Sequence, residues 1–214
     1  DCATGEIRVR ANIRNASERL AASQLRFSVA PAASGETLAT VALDRPIPTG
    51  DTLVETRLKV DRPHLWNLDD PYLYRVTIRV TVSRSNTCDE FSTRCGFRDF
   101  RFVDGAFRLN GRRVFLKCSH SGNMFPGGRK LPLDPDLLRR DLLNSKATGF
   151  NMIRFFCAVA NRRQLDYCDE IGLLVYQETA AGWQWHDSPQ MAERFDTSIR
   201  GMILRDRNHP SVVL

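Results

Sequence analysis

Up to residue 97 apolar positions recur at every second residue. Ile7, Val9, Ala11 and Ile13 alternate with Arg8, Arg10 and Asn12, and similar runs fall at 24–30, 37–43, 53–60, 73–82 and 90–97. Alternation of this kind turns one face of each strand to a core and leaves the other in water. Turn-forming stretches such as Pro31 to Gly35 and Pro46 to Asp51 separate the runs, and no helical period intervenes. Six short strands in this arrangement predict an antiparallel β-sandwich over residues 1–97.

From residue 98 onward the period changes. A short β-rich stretch, Phe100 to Leu109 with a turn at Asp104-Gly105, precedes a compact apolar run from Arg113 to Cys118 that reads as a buried strand. Asp134 and Pro135 supply an N-cap and a first helical residue for a helix carrying Leu137, Leu138, Leu142 and Leu143, with Gly149 as its stop. A second strand follows at Phe150–Phe155, a second helix at Asn161–Ile171 closed by Gly172, and a third strand at Leu173–Gln177. Ser188-Pro189 opens a third helix with Met191, Phe195, Ile199, Met202 and Ile203 on one face, and Ser211–Leu214 begins a fourth strand. Apolar strands alternating with helices predict a parallel sheet with helices outside it. Four strands and three helices over 98–214 make the first half of a (β/α)8 barrel, and the fourth strand lacks its helix. An open half barrel exposes apolar strand faces and edges, so self-association is expected.

Length supports the half rather than the whole: the chain has 214 residues, and a closed barrel takes roughly 250. The formal charge of +6 raises the question of nucleic acid, but its placement is diffuse. Only Lys59, Lys117, Lys130 and Lys146 are lysines, and the arginines stand mostly singly between apolar residues. No nucleic-acid partner is expected. No apolar run approaches the ~20 residues of a membrane span, and the N-terminal residues show no basic segment followed by an apolar one, so neither a membrane protein nor an intact secretory precursor is expected. The six cysteines, Cys2, Cys88, Cys95, Cys118, Cys157 and Cys168, contain no C-x-x-C pair. They read as buried free thiols rather than a metal site, with a Cys88–Cys95 bridge inside a hairpin left open. No metal or cofactor is expected. Asn15-Ala16-Ser17 matches a glycosylation sequon, a pattern too short to carry weight alone.

Several stretches are more specific. Pro63-His-Leu-Trp-Asn-Leu-Asp-Asp-Pro-Tyr-Leu-Tyr74, Cys95-Gly-Phe-Arg98, Phe107-Arg-Leu-Asn-Gly-Arg-Arg-Val-Phe-Leu-Lys117, Gly149-Phe-Asn-Met-Ile-Arg154, Tyr167-Cys-Asp-Glu-Ile-Gly-Leu-Leu-Val175 and Arg205-Asp-Arg-Asn-His-Pro-Ser211 stand in that order. Together they resemble glycoside hydrolase family 2, which includes β-galactosidases, β-glucuronidases and β-mannosidases. The resemblance covers nearly the whole chain and implies an immunoglobulin-like sandwich followed by a TIM barrel. It also implies a retaining β-glycosidase acting on carbohydrate, with one glutamate as acid and base and a second as nucleophile, about 5–5.5 Å apart. In the family the first ends a Trp-x-x-Gly-Asn-Glu segment directly after the Asn-His-Pro-Ser-Val-Val that stands here at 208–213, and the second lies on a later strand. The chain as given is therefore expected to lack both and to be catalytically silent.

Substrate-binding residues are expected at the C-terminal ends of the strands. The resemblance implies for Arg154, at the end of strand two, an arginine oriented toward the nucleophile. His120 after strand one and Glu178 at the end of strand three occupy pocket-facing positions, with solvated loop residues as the alternative. Trp183 and Trp185 follow strand three and suit stacking on sugar rings, or else pack against the third helix. Asn208-His209-Pro210 reads as shaping the start of strand four, and Asp169-Glu170 as structural. Departures limit the sugar: Cys118-Ser-His-Ser-Gly122 replaces the Gly-x-Asn-Arg/Lys-His of β-galactosidases and β-glucuronidases, and Tyr176-Gln-Glu178 is nearer the Trp-Gln-Asp of the mannosidase-like branch. Two other readings stay open: a non-catalytic carbohydrate-binding or adhesion module with a degenerate half barrel, and a free-standing doubly wound α/β domain. The absence of Gly-x-Gly-x-x-Gly after a strand counts against a dinucleotide-binding form of the last.

Overall fold

A computed structural model describes residues 3–83, 85, 87–122, 134–179 and 188–214. The chain divides into two units, Asp1–His64 with Leu73–Phe97, and Leu65–Tyr72 with Arg98–Leu214.

In the first unit the period-two runs become six strands: β1 Thr4–Asn15, β2 Ala21–Pro31, β3 Ala39–Ile47, β4 Gly50–Asp61, β5 Tyr74–Val82 and β6 Cys88–Cys95. β1 pairs with β4, and the other four form a sheet in the order β3-β2-β5-β6, every pair antiparallel. Alternate residues are buried, as the pattern requires: Leu25, Phe27 and Val29 on β2, Val54, Leu58 and Val60 on β4, Val76 on β5. Burying each such side chain contributes about 1.5–3 kcal/mol. Cys88 and Cys95 do not face each other across a hairpin. They begin and end the same strand, β6, and neither forms a disulfide.

The second unit starts with a small antiparallel sheet, β7 Phe100–Val103, β8 Ala106–Leu109 and β9 Arg112–Arg113. Three parallel strands follow in sequential order, β10 Cys118–Ser121, β11 Met152–Phe155 and β12 Leu174–Gln177, with helices α1 Pro135–Ala147, α2 Arg162–Ile171 and α3 Met191–Asp206. The strand expected at 113–118 lies further along. Phe115 is 79% exposed, so that apolar run is not a buried strand, and the first parallel strand begins at Cys118 with His120 inside it. Asn151 holds the approach to β10: its side chain accepts from the Lys117 N–H and donates to the Phe115 carbonyl, both at 2.8 Å. Among the described residues after β12, the chain returns to this sheet as an isolated parallel bridge, Val175 to Val212.

Helix ends follow local chemistry. Asp134 accepts from the Asp136 N–H at 2.9 Å, with Pro135 as the first helical residue. Asn161 and Gln164 form a reciprocal capping box at the start of α2. Gly172 closes that helix in the left-handed conformation, φ 71°. α3 begins at Met191 rather than Ser188, and its N-cap residue Gln190 makes no side-chain cap bond. Ile153, Phe155 and Val175 pack against Leu142 of α1 and against Leu165 and Cys168 of α2. Successive strand side chains point to opposite faces, so Arg154 and Tyr176 face away from the helices.

The segment Leu65–Tyr72, between β4 and β5 in sequence, packs with the second unit. Trp66 is fully buried and donates its indole N–H to the Asp169 carbonyl at 2.8 Å. Asn110 donates to the Trp66 carbonyl at 3.0 Å. Lys146 donates to the carbonyls of Leu68 (2.6 Å), Gly172 (3.3 Å) and Ile171.

Candidate functional site

Parallel register places His120 of β10 opposite Arg154 of β11, and Arg154 opposite Tyr176 of β12. One residue past the end of β12 stands Glu178, and Arg154 reaches it with Nε at 2.5 Å from Oε1. Nη2 contacts the same oxygen, closing a two-pronged ion pair. The other carboxylate oxygen accepts the backbone N–H of Cys157 at 3.0 Å. Cys157 adopts a left-handed backbone, φ 48°, which costs a non-glycine residue about 1–2 kcal/mol. That turn aims its N–H at Glu178.

Aromatic rings flank the guanidinium. Cζ of Arg154 lies 5.0 Å from the ring centre of Phe156 and 5.2 Å from that of Tyr176, and the His120 ring meets Phe156 edge-on at 6.2 Å. Partial burial pushes the Glu178 carboxyl up, but the Cys157 N–H, Arg154 and the Tyr176 hydroxyl together outweigh it and hold it below the usual glutamate range. Arg154 is held above its ordinary value, first by the hydrogen bond to Glu178. The result is a fixed, ionised carboxylate beside apolar ring faces at the C-terminal ends of parallel strands. Arg154, Glu178 and His120 are thus gathered on one face. Trp183 and Trp185 lie outside the described residues. Phe156, Tyr176 and Cys157 join the group without having been singled out; the signal for Tyr176 is its spacing of two residues from Glu178, which puts both on one face of an extended chain.

A groove of about 570 Å³ opens between β10 and α1, lined by His120, Ser119, Ser121, Leu137, Asp141 and Asn144 among others. It contains neither Arg154 nor Glu178. A second polar cluster lies where α2 runs into β12. Asp169 accepts His209 Nδ1 at 2.6 Å and Ser211 Oγ at 2.6 Å. Because the serine bonds the aspartate and not the histidine, this is not a nucleophilic triad. Asp166, Asp169 and His209 are close enough to hold a metal ion. Both oxygens of Asp169 already have donors, however, and the set reads as a hydrogen-bonded anchor.

Family models match both parts of the chain: that described as glycosyl hydrolases family 2 over residues 1–98, and that described as glycosyl hydrolases family 2, TIM barrel domain, over 100–214. The fold is thus a largely β unit followed by the start of a TIM barrel domain. The chain belongs to glycosyl hydrolases family 2. It is 33% identical over 165 residues to a β-galactosidase of Thermoanaerobacter pseudethanolicus, covering 74% of this chain and 21% of that protein. A β-galactosidase of Thermoanaerobacterium thermosulfurigenes is 31% identical over 156 residues, 70% of this chain and 20% of that one. Among solved structures, the β-glucuronidase of Bacteroides uniformis superposes with a TM-score of 0.91 at 25% identity, and that of Parabacteroides merdae with 0.87 at 26%. Each superposition covers 99% of this chain, and 25% and 26% of the respective enzyme. The chain therefore spans about a fifth of the length of the curated relatives it matches.

Proposed function

We propose that this chain is part of a retaining β-glycosidase that hydrolyses O-glycosidic bonds of carbohydrates. On this reading residues 1–97 are the immunoglobulin-like sandwich, and 98–214 carry the barrel as far as the start of its fourth strand. Arg154, Glu178 and His120, with Trp183 and Trp185, line the subsite that holds the sugar. The catalytic glutamates lie beyond Leu214, so the 214-residue chain alone is inactive and its uncovered strand edges favour self-association.

The observation that carries the reading is the Arg154–Glu178 ion pair at the C-terminal ends of neighbouring parallel strands, where barrel enzymes place their chemistry. Glu178 holds Arg154 in place, and Arg154, flanked by Phe156 and Tyr176, turns its remaining guanidinium N–H groups to sugar oxygens. The relatives are β-galactosidases by sequence and β-glucuronidases by structure, so the proposal is for a β-glycoside without a named sugar. Sequencing the coding region past Leu214 tests it. A continuation into Trp-x-x-Gly-Asn-Glu supports the reading; a stop codon or an unrelated domain overturns it.

A further inference from the structure

The residues that start the fourth strand hang from one carboxylate. Asp169, 1% exposed near the end of α2, accepts His209 Nδ1 on Oδ2 at 2.6 Å. Its Oδ1 accepts both the Ser211 N–H at 3.1 Å and the Ser211 hydroxyl at 2.6 Å. Its backbone carbonyl is occupied by the Trp66 indole, so the group that holds the strand is itself held. Arg98 holds the same segment by its backbone, donating Nε to the Pro210 carbonyl at 2.9 Å and Nη2 to that of Val212 at 2.6 Å. Between these clamps the chain meets β12, with the Val175 N–H on the Ser211 carbonyl at 2.8 Å and the Val213 N–H on the Val175 carbonyl at 3.0 Å.

Burying a carboxylate is costly unless donors surround it, and here the donors to its side chain are His209 and Ser211. Two donors of one residue on a single oxygen fix the position and rotation of Ser211. That matters because a slip of one residue along a strand turns every following side chain to the opposite face. We propose that Asp169 is a positioning residue that sets the register of Ser211–Leu214 against β12. Resting on the glycosidase reading, it thereby also sets the direction of the acid/base carboxyl expected further along that strand.

The His209 contact gives the device a proton dependence. Asp169 and Asp166 of α2 and Asp206 of α3 are the charged groups that bear on the ring. A protonated ring donates to Asp169 as a cation, and a neutral one donates more weakly.

The test is backbone amide exchange by NMR on the 214-residue chain, corrected for the intrinsic base-catalysed rate. In Asp169→Ala the Val175 and Val213 amides exchange faster by about tenfold or more. Those of Leu174, bonded to the Asn151 carbonyl, and Leu165, bonded to that of Asn161, keep their protection. In the wild type, Val213 protection falls as pH rises through the titration of the His209 ring. Asp169→Asn keeps an acceptor for Ser211 and retains most of the protection, but loses that pH dependence. Should Asp169→Ala fail to fold, Ser211→Ala, which removes the hydroxyl bond to Asp169, takes its place, with Val175 and Val213 expected to exchange faster than in the wild type. Uniform acceleration across all four amides, unchanged exchange at Val213, or a surviving pH dependence in Asp169→Asn overturns the proposal. None of these readouts uses activity, so failure of the glycosidase reading is seen separately.

Discussion

Arg154 and Glu178 tie the ends of β11 and β12 together, Nε to Oε1 at 2.5 Å, with the second carboxylate oxygen fixed by the Cys157 N–H. Because the folded-state pKa of Glu178 is depressed, the stability this pair contributes is present above the value of free glutamate. It is lost as pH falls through the depressed folded value. A carbon-13 titration of the Glu178 carboxyl is expected to give a midpoint below that of free glutamate. In Arg154→Met the midpoint moves upward, since burial remains and the strongest counter-charge is gone. An unchanged midpoint in that variant would show that the pair does not control the site's ionisation.

Gly172 and Gly35 both have left-handed backbones, φ 71° and 73°, yet differ in surroundings. A Cβ at Gly172 would lie 2.1 Å from the Leu68 carbonyl oxygen, and one at Gly35 would meet nothing within 4 Å. Gly35→Ala is therefore expected to cost only the conformational penalty of about 1–2 kcal/mol. Gly172→Ala adds displacement of the 65–72 segment, a further penalty on the order of 1–3 kcal/mol. Urea unfolding followed by circular dichroism for the first variant and by tryptophan emission for the second measures each cost. Equal losses would mean that the 65–72 segment yields freely.

Thiol mapping separates the cysteines. Cys88 and Cys95 stand at opposite ends of β6, about 23 Å apart along an extended strand, where a disulfide requires Cα atoms within about 7 Å. Iodoacetamide applied to the native chain is expected to label exposed Cys88 and spare Cys168, which is fully buried and whose thiol burial pushes well up. A Cys88–Cys95 peptide link in non-reducing mass spectra would contradict the strand assignment.

The sequon at Asn15 has a structural use. Asn15 Nδ2 donates to the carbonyls of Arg19 (2.9 Å) and Ile47 (3.0 Å), while its Oδ1 accepts from the Ser17 N–H. Both amide hydrogens are thus engaged, one in closing the β1–β2 turn and one on the end of β3. Expressed in a glycosylating host, the folded chain is expected to keep its bare polypeptide mass, and Asn15→Ala to lose about 1 kcal/mol of stability. A glycan mass at Asn15 would show that the turn opens.

Features set by neighbouring residues were legible in the sequence. The alternation at Ile7 to Ile13, the cap at Asp134, the box at Asn161 and the stop at Gly172 each depend on residues a few positions away. Placement against distant residues was not. Nothing local shows that Trp66 finds Asp169 or that Lys146 finds Leu68, since those pairs are joined only by the fold. The face of α3 was readable but not its cover: Phe195 and Ile203 remain 44% and 57% exposed. Arg154 was singled out by its motif and Glu178 by its place at the end of a strand. Their ion pair depends on the register between β11 and β12, and the aim of the Cys157 N–H on a left-handed turn that cysteine rarely makes.

The most direct measurement is proton NMR of the first sugar released from aryl β-galactosides, β-glucuronides and β-mannosides. It compares the 214-residue chain with the same chain extended through its coding continuation. The expected result is no turnover by the shorter chain, and hydrolysis of at least one glycoside by the longer with the β-anomer appearing first. Turnover by the 214-residue chain alone, or an extended protein that is inert or releases the α-anomer first, would contradict a retaining β-glycosidase whose catalytic pair follows Leu214.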